Sequence, residues 1–324
     1  MLRYVLRRLA WALPTLLFVT FLVYIALRTG TDPVASYKRI NPRATPAKIQ
    51  QYIDANGLDP NYVRGYFSWL RNFVTLDWPR SIKGSREVWP QLKDALANTV
   101  RLGIAASVVG IVVGLMLGVF AALRPGGRRD VAVNTAAFVG ISVPPYVSAI
   151  LFQLLFAVYW SRWFGSTLFP TSGVYPPGHT GFDLFLMAKH MVLPTIVVAI
   201  QVIAVYSRYM RSSLLDVLSS EYMRTARSKG ISERRVLFRH GLRNALIPVV
   251  TIAAIDVGAI VGGLIITENI FSYPGMGKYF LSAFGEGDFP LLMPWMVLIV
   301  ASTLMFNLLA DISYAWLDPR IRLE

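Results

Sequence analysis

The chain has no cysteine, only three histidines and little charge: 15% of its 324 residues are Asp, Glu, Lys or Arg. Without cysteine, disulfides, thiolate metal sites and a cysteine nucleophile are excluded within this chain. His179, His190 and His240 are scattered, and no His-Glu-x-x-His occurs. Gly-x-Ser-x-Gly is missing too. So is the Gly-x-x-x-x-Gly-Lys-Ser/Thr phosphate loop; Gly275-Met-Gly-Lys278 has the wrong spacing. No set of converging nucleophile, base and metal ligands can be assembled, which argues against a membrane enzyme. A soluble domain carries about a quarter charged residues. Shortage of charge beside 55% hydrophobic residues indicates an integral, all-α membrane protein.

The net charge of +14 sits mainly in loops beside apolar runs. That is a topology signal, and no nucleic-acid partner is expected from it. Six spans are predicted, at 9–27, 102–123, 131–161, 191–207, 245–267 and 289–310, the last reaching toward Trp316. Pro144-Pro145 interrupts the third. Arg3, Arg7 and Arg8 precede the first, which reads as a retained anchor. Short-loop cations cluster at Arg124, Arg128 and Arg129, between Arg208 and Arg243, and at Arg320 and Arg322. Both termini are therefore expected on the cytoplasmic side. The chain divides into 1–28, the N-terminus and first span; 29–98, an external helical loop; and 99–324, a five-span core containing the loop 208–244.

The 29–98 loop carries helix punctuation. Thr45-Pro46 starts one helix and Asn56-Gly57 stops it. Asp59-Pro60 starts a second, with Val63, Tyr66, Phe67, Leu70 and Phe73 on one stripe. Ser85 is expected to cap a third, with Val88, Leu92, Ala95 and Leu96 inward. These helices either cap the spans or seat an external partner.

A polar island separates two apolar segments between Ser219 and Pro248. Ser220 is placed to cap a short helix, with Glu221 at its positive end and Lys229 at its negative end. Gly230 supplies a left-handed stop. Ser232 is placed to cap a second helix with Glu233 in its first turn. Read from composition alone, the island is an ordinary solvated basic loop.

Glu221, Ala226 and Gly230, followed by Ile247-Pro248, resemble the EAA loop of ABC-importer permeases. The longer string resembles the first of the two membrane subunits in the oligopeptide/dipeptide/nickel permease family. Glu268-Asn-Ile-Phe-Ser-Tyr-Pro-Gly-Met-Gly277 and Leu317-Asp-Pro-Arg-Ile-Arg322 extend the resemblance over essentially the whole chain. It implies a type I ABC-importer permease fold in a bacterial plasma membrane. It also implies a similar second permease, two ATPase subunits that bind ATP and Mg, an extracytoplasmic solute-binding protein and a peptide substrate. No cofactor is expected in this chain. In the EAA loop, small Ala226 and Gly230 would let the helix pair enter a groove. Glu221, Arg224 and Arg227 would set its register, and Arg234 would belong to the same ATPase-coupling loop. A nickel chelate or another small solute, or a secondary transporter of another class, are the alternatives.

Small residues recur every fourth position at Ala106, Gly110, Gly114, Gly118 and Ala122, and at Ala254, Gly258 and Gly262. This spacing lets another helix approach closely. Few polar groups lie at membrane depth: Gln153, Gln201, Asp256 and Asn307. For the three amides the plainer reading is an interhelical hydrogen bond, and the alternative is a translocation path. Asp256 departs from the family's neutral residue. It either pairs with a neighbouring helix or faces the path, where it could meet the amino end of a peptide.

Overall fold

A computed structural model describes residues 2–83, 86–260 and 264–317, and their side chains except at 2–5, 251, 254, 255, 257–260 and 309–317. Among the described residues every regular element is helical. The helices are α1 (Leu2–Thr31), α2 (Pro33–Ile40), α3 (Pro46–Ala55), α4 (Tyr62–Val74), α5 (Val88–Ala122), α6 (Arg128–Ser142) and α7 (Pro145–Gln153). They continue as α8 (Trp160–Phe164), α9 (Leu184–Leu218), α10 (Glu221–Ser228), α11 (Glu233–Arg235), α12 (Arg243–Ile260), α13 (Ile265–Ile270), α14 (Met276–Glu286) and α15 (Phe289–Leu317). Within these limits five stretches are long and apolar enough to cross a membrane: Leu6–Thr31, Val88–Ala122, Pro145–Phe164, Leu184–Leu218 and Phe289–Leu308. α12 occupies most of the expected fifth span, which continues into 261–263, outside the described residues.

The 29–98 segment folds against α1, α14 and α15. Thr45 caps α3 by accepting from the Lys48 N–H, with Pro46 at the first helical position. Gly57 takes φ +61° just past the end. The expected start of the next helix moves two residues on. Asn61, not Asp59, accepts the N–H groups of Val63 and Arg64, and Asp59 instead receives the Asn61 N–H. The buried face of α4 also differs from the expected stripe. Tyr66 and Trp69 are inside, while Val63 and Phe67 are exposed. Tyr66 meets Phe21 edge-on, and Tyr24 bridges Tyr66 to Phe289. Arg28 donates to the Asp59 carbonyl at 2.8 Å and lies over the Tyr62 ring.

Two helices here depart from the sequence expectation. α2 is additional to it; Asp32, at φ 40°, accepts from the Ala35 N–H ahead of Pro33 at the first position. The third expected helix is not separate. It forms the first turns of α5, because nothing from Trp89 to Ala122 breaks a helix except Pro90 in the first turn, where proline is tolerated. Ser85, its expected cap, lies outside the described residues, and Glu87 holds the cap position without a side-chain bond.

α5 and α9 form the most intimate helix pair. Alanine and glycine at every fourth position give α5 a flat face: Ala106, Gly110, Gly114 and Gly118 are all buried. A Cβ on Gly110 would lie 2.5 Å from Val202 Cβ, and one on Gly118 2.6 Å from the Ser207 carbonyl. Backbones therefore touch where larger residues would hold them apart. The corresponding Gly258 lies in α12 with its surroundings undescribed, and Gly262 lies outside the described residues.

The third span is two helices. Pro144 and Pro145 carry no N–H, so α6 stops at Ser142 and α7 restarts at Pro145. A π-helical stretch, Leu154–Tyr159, then joins α7 to α8.

Candidate functional site

The loop 208–244 is built outward from its own small core. α9 runs without interruption to Leu218, and Ser219-Ser220 turns the chain into α10. Ser220 has the extended backbone of a cap residue, but its hydroxyl donates back to the Val217 carbonyl at 2.6 Å. The expected side-chain cap is therefore not made, and Ser232 makes none either. Gly230 takes φ +73° and ends α10, with nothing within 4 Å of where a Cβ would sit. α11 is a single turn and passes through a π-helical stretch, Val236–Leu242, into α12.

Met223, Ala226 and Val236 are buried together against Val217, Leu218 and Ile231. Within the chain, small Ala226 packs the loop's own core. Glu221, Arg224, Arg227, Gly230 and Arg234 are all on the surface. Arg224 pairs with Glu221 at 2.9 Å, and Arg227 pairs with Glu233 at 3.0 Å, tying α10 to α11. Such exposed pairs contribute little stability, about 0–1 kcal/mol, but they fix where the charges point. Beside them Ser232, Arg234, Arg235 and exposed Phe238 line a shallow hollow of about 380 Å³. The outward face is thus an apolar ring among cations.

Of the polar groups expected at depth, two complete the backbone. Gln201 donates to the Gly140 carbonyl at 2.8 Å and to that of Val143 at 3.2 Å. The Gly140 carbonyl is the one that Pro144, lacking an N–H, leaves unpaired. Gln153 donates to the Ile270 carbonyl at 3.0 Å and so clips α7 to α13. Asn307 is exposed on α15 and borders a groove against α1. Asp256 is exposed on α12 and accepts from the Tyr206 hydroxyl at 2.7 Å.

Three buried acids went unassigned in the sequence. Glu268 is fully buried. Its carboxylate accepts from the Thr99 hydroxyl at 2.6 Å and from the N–H groups of Gly277 and Lys278 at 2.6 and 3.3 Å. It therefore caps the N-terminus of α14 and ties it to α5. Burial raises its pKa against those bonds. The string from Glu268 to Gly277 explains itself in this geometry. A Cβ at Gly275 would run into the Glu268 carboxyl, and one at Gly277 into the Ile265 backbone. Asp288 accepts from Ser81 at 2.6 Å, joining the 29–98 segment to the start of α15, and burial pushes it up to about 6. Asp130 accepts from Arg211 at 2.5 and 2.7 Å, from Asn134 and from the Gly126 N–H. The Arg211 bonds come first in holding it down at about 2. The ties to Thr99, Ser81 and Arg211 have no local sequence signal, because each of those partners lies 81 residues or more away along the chain.

Residues 110–323 match the family described as binding-protein-dependent transport system inner membrane component. The oligopeptide transport system permease protein AppB of Bacillus subtilis is 36% identical over 322 residues, covering 98% of each chain. The dipeptide transport system permease protein DppB of Escherichia coli is 33% identical, covering 99% of each. Among solved structures, an inward-facing methionine ABC transporter matches with TM-score 0.53 at 16% identity, over 70% of this chain and 96% of that one. An amino acid ABC transporter matches with TM-score 0.50 at 13% identity, over 69% and 92%. These two bear on the fold alone, and they agree with the all-helical multi-pass architecture. The full-length relatives and the family match together establish that this chain belongs to the binding-protein-dependent transport system inner membrane components, the permeases of ABC importers.

Proposed function

We propose that the chain is the membrane subunit of a peptide importer, and that loop 208–244 is where separate ATPase subunits engage it. ATP and Mg²⁺ belong to those ATPases. A second, similar permease completes the pathway, and a solute-binding protein delivers peptide at the 29–98 face. Both termini and the loop are cytoplasmic in this reading. The carrying observation is the construction of the loop: a packed core of Met223, Ala226 and Val236 holds a charged outer face rigid, spliced directly onto α9. A rigid surface on a transmembrane helix can transmit a partner's movement, provided the contacts differ between the two states.

Gly230→Val tests this, since a β-branched residue resists φ +73°. Glu221→Lys removes the Arg224 pair and sets a cation at a helix N-terminus. Both variants should co-purify with less ATPase and lose most peptide uptake. Normal assembly and uptake in both would overturn the docking assignment.

The chain's lack of cysteine makes topology directly measurable. Lys48→Cys should react with an impermeant thiol reagent in intact cells. Gly126→Cys and Ser228→Cys should react only after permeabilisation. Labelling of Ser228→Cys in intact cells would invert the arrangement and remove the docking surface from the ATPase side.

A further inference from the structure

A cavity of about 590 Å³ lies between α6 and α9. Two contacts fix how the helices run past each other. Arg211 binds Asp130 near the start of α6, and Gln201 reaches the Gly140 carbonyl near its end. The helices are therefore antiparallel, and the lining of the cavity is graded along them. Asn134, Arg208, Arg211 and Ser212 line it toward the start of α6, while Val205 and Ile141 line it deeper in the span. From Asn134 to Ile141 the helix rises about 10 Å. The cavity is thus polar and cationic at one end and apolar at the other.

Its two guanidinium groups differ. Arg211 is spent on Asp130, whose two oxygens already accept four hydrogen bonds. That carboxylate has no capacity left for a second cation. Arg208 is exposed and forms no ion pair among the described residues. It is the first charge met on α9 after the apolar stretch 191–207, so it stands where the hydrocarbon region ends. Exposed Tyr209 beside it has the ring and hydroxyl suited to that boundary. Basic pockets between spans on the cytoplasmic side attract anionic headgroups. A free phosphate would need only the cation, whereas the apolar depth at Val205 and Ile141 suits a hydrocarbon tail. We propose that this cavity seats an anionic phospholipid of the cytoplasmic leaflet. Its phosphate lies on the Arg208 guanidinium, whose planar fork makes strong charge-assisted bonds, with Tyr209 and Ser212 as hydroxyl donors. One acyl chain runs past Val205 and Ile141. The site goes beyond peptide transport and rests on the cytoplasmic placement of loop 208–244 given above.

The test uses the complete importer, reconstituted in equal parts phosphatidylglycerol and phosphatidylcholine and re-extracted in detergent. The lipid retained on each complex is quantified by mass spectrometry. The wild type should be enriched in phosphatidylglycerol. Arg208→Gln should lower that enrichment about fivefold, the effect of one cation at an anionic surface. Arg208→Lys should keep most of it. Arg128→Gln removes an exposed cation that does not line the cavity, and should change it less than about twofold. Equal falls for Arg128→Gln and Arg208→Gln would reduce the effect to diffuse attraction and overturn the site. Unchanged enrichment in Arg208→Gln would overturn it too. Two results on the wild type hold even if Arg208→Gln does not assemble. Equal retention of the two lipids, as when the second permease covers α6 and α9, would overturn the site. Displacement of phosphatidylglycerol by excess inorganic phosphate would leave a free-anion site and overturn the lipid assignment. Enrichment together with labelling of Ser228→Cys in intact cells would instead overturn the topology and move the site to the opposite leaflet.

Discussion

Gly118→Leu is expected to leave almost no assembled permease in the membrane. A Cβ at position 118 would lie 2.6 Å from the Ser207 carbonyl, 2.7 Å from Met210 Cβ and 3.1 Å from the Arg211 amide nitrogen. Two of these are backbone atoms and the third is a Cβ, so no side-chain rotation makes room. α5 and α9 must part along their length, and overpacking of this kind costs about 1–3 kcal/mol or more. Transmembrane helices have no hydrophobic drive to recover that contact, because lipid is as apolar as the partner helix. The amount of monodisperse protein extracted in detergent should fall by about tenfold, in keeping with the narrow stability margin of folded chains. Gly30→Ala and Gly285→Ala are the controls, since nothing lies within 4 Å of either position. Wild-type recovery of Gly118→Leu would remove α5–α9 packing from its central place in the fold.

Glu268→Ala should lower the thermal midpoint of the purified protein by roughly 10 °C. The change strands the Thr99 hydroxyl and the Gly277 and Lys278 N–H groups in a site from which water is excluded. A buried donor left unpaired costs about 1–3 kcal/mol, and 1 kcal/mol corresponds to roughly 2–4 °C in a domain of comparable size. Glu268→Gln should fall between, because one amide oxygen survives while the NH₂ faces another donor. Gly275→Ala should reproduce the defect from the other side, its methyl entering the space of the carboxyl. The two substitutions should not add, since Glu268→Ala vacates the volume that the methyl introduced at position 275 needs. Additive losses would show that Glu268 and Gly275 act on separate contacts.

How far the sequence could be read follows from what each signal measures. The four-residue spacing of Gly110, Gly114 and Gly118 is geometric, so it announces a close helix contact without naming α9 as the partner. Gly230 and the Thr45-Pro46 cap are local backbone devices and are legible for that reason. The stripe on α4 misleads because apolarity does not tell a core face from a membrane face: Val63 and Phe67 are as apolar as Trp69, yet exposed. The packing of Ala226 is not legible because it depends on Val236, ten residues on and past the glycine elbow. Glu268 is visible only as part of a motif, since Thr99 lies 169 residues away. Gln201 reads in the sequence as an interhelical hydrogen-bonder, but its work for the Pro144 break can be seen only with α6 beside it.

The two ends of loop 208–244 join the spans differently. On one side α9 is continuous α-helix for its whole 35 residues, a lever about 50 Å long. Its single internal proline, Pro194, lies near the far end and leaves the 24 residues to Leu218 regular. A tilt of about 5° at the loop sweeps the opposite end through about 4 Å over that length. On the other side the seven residues Val236–Leu242 are wound as a π-helix, a looser winding that can take up a change of register. A push on α10 is therefore transmitted stiffly into α9 and absorbed in part before α12. Because Tyr206 of α9 donates to Asp256 of α12, unequal travel of the two helices bears first on that contact.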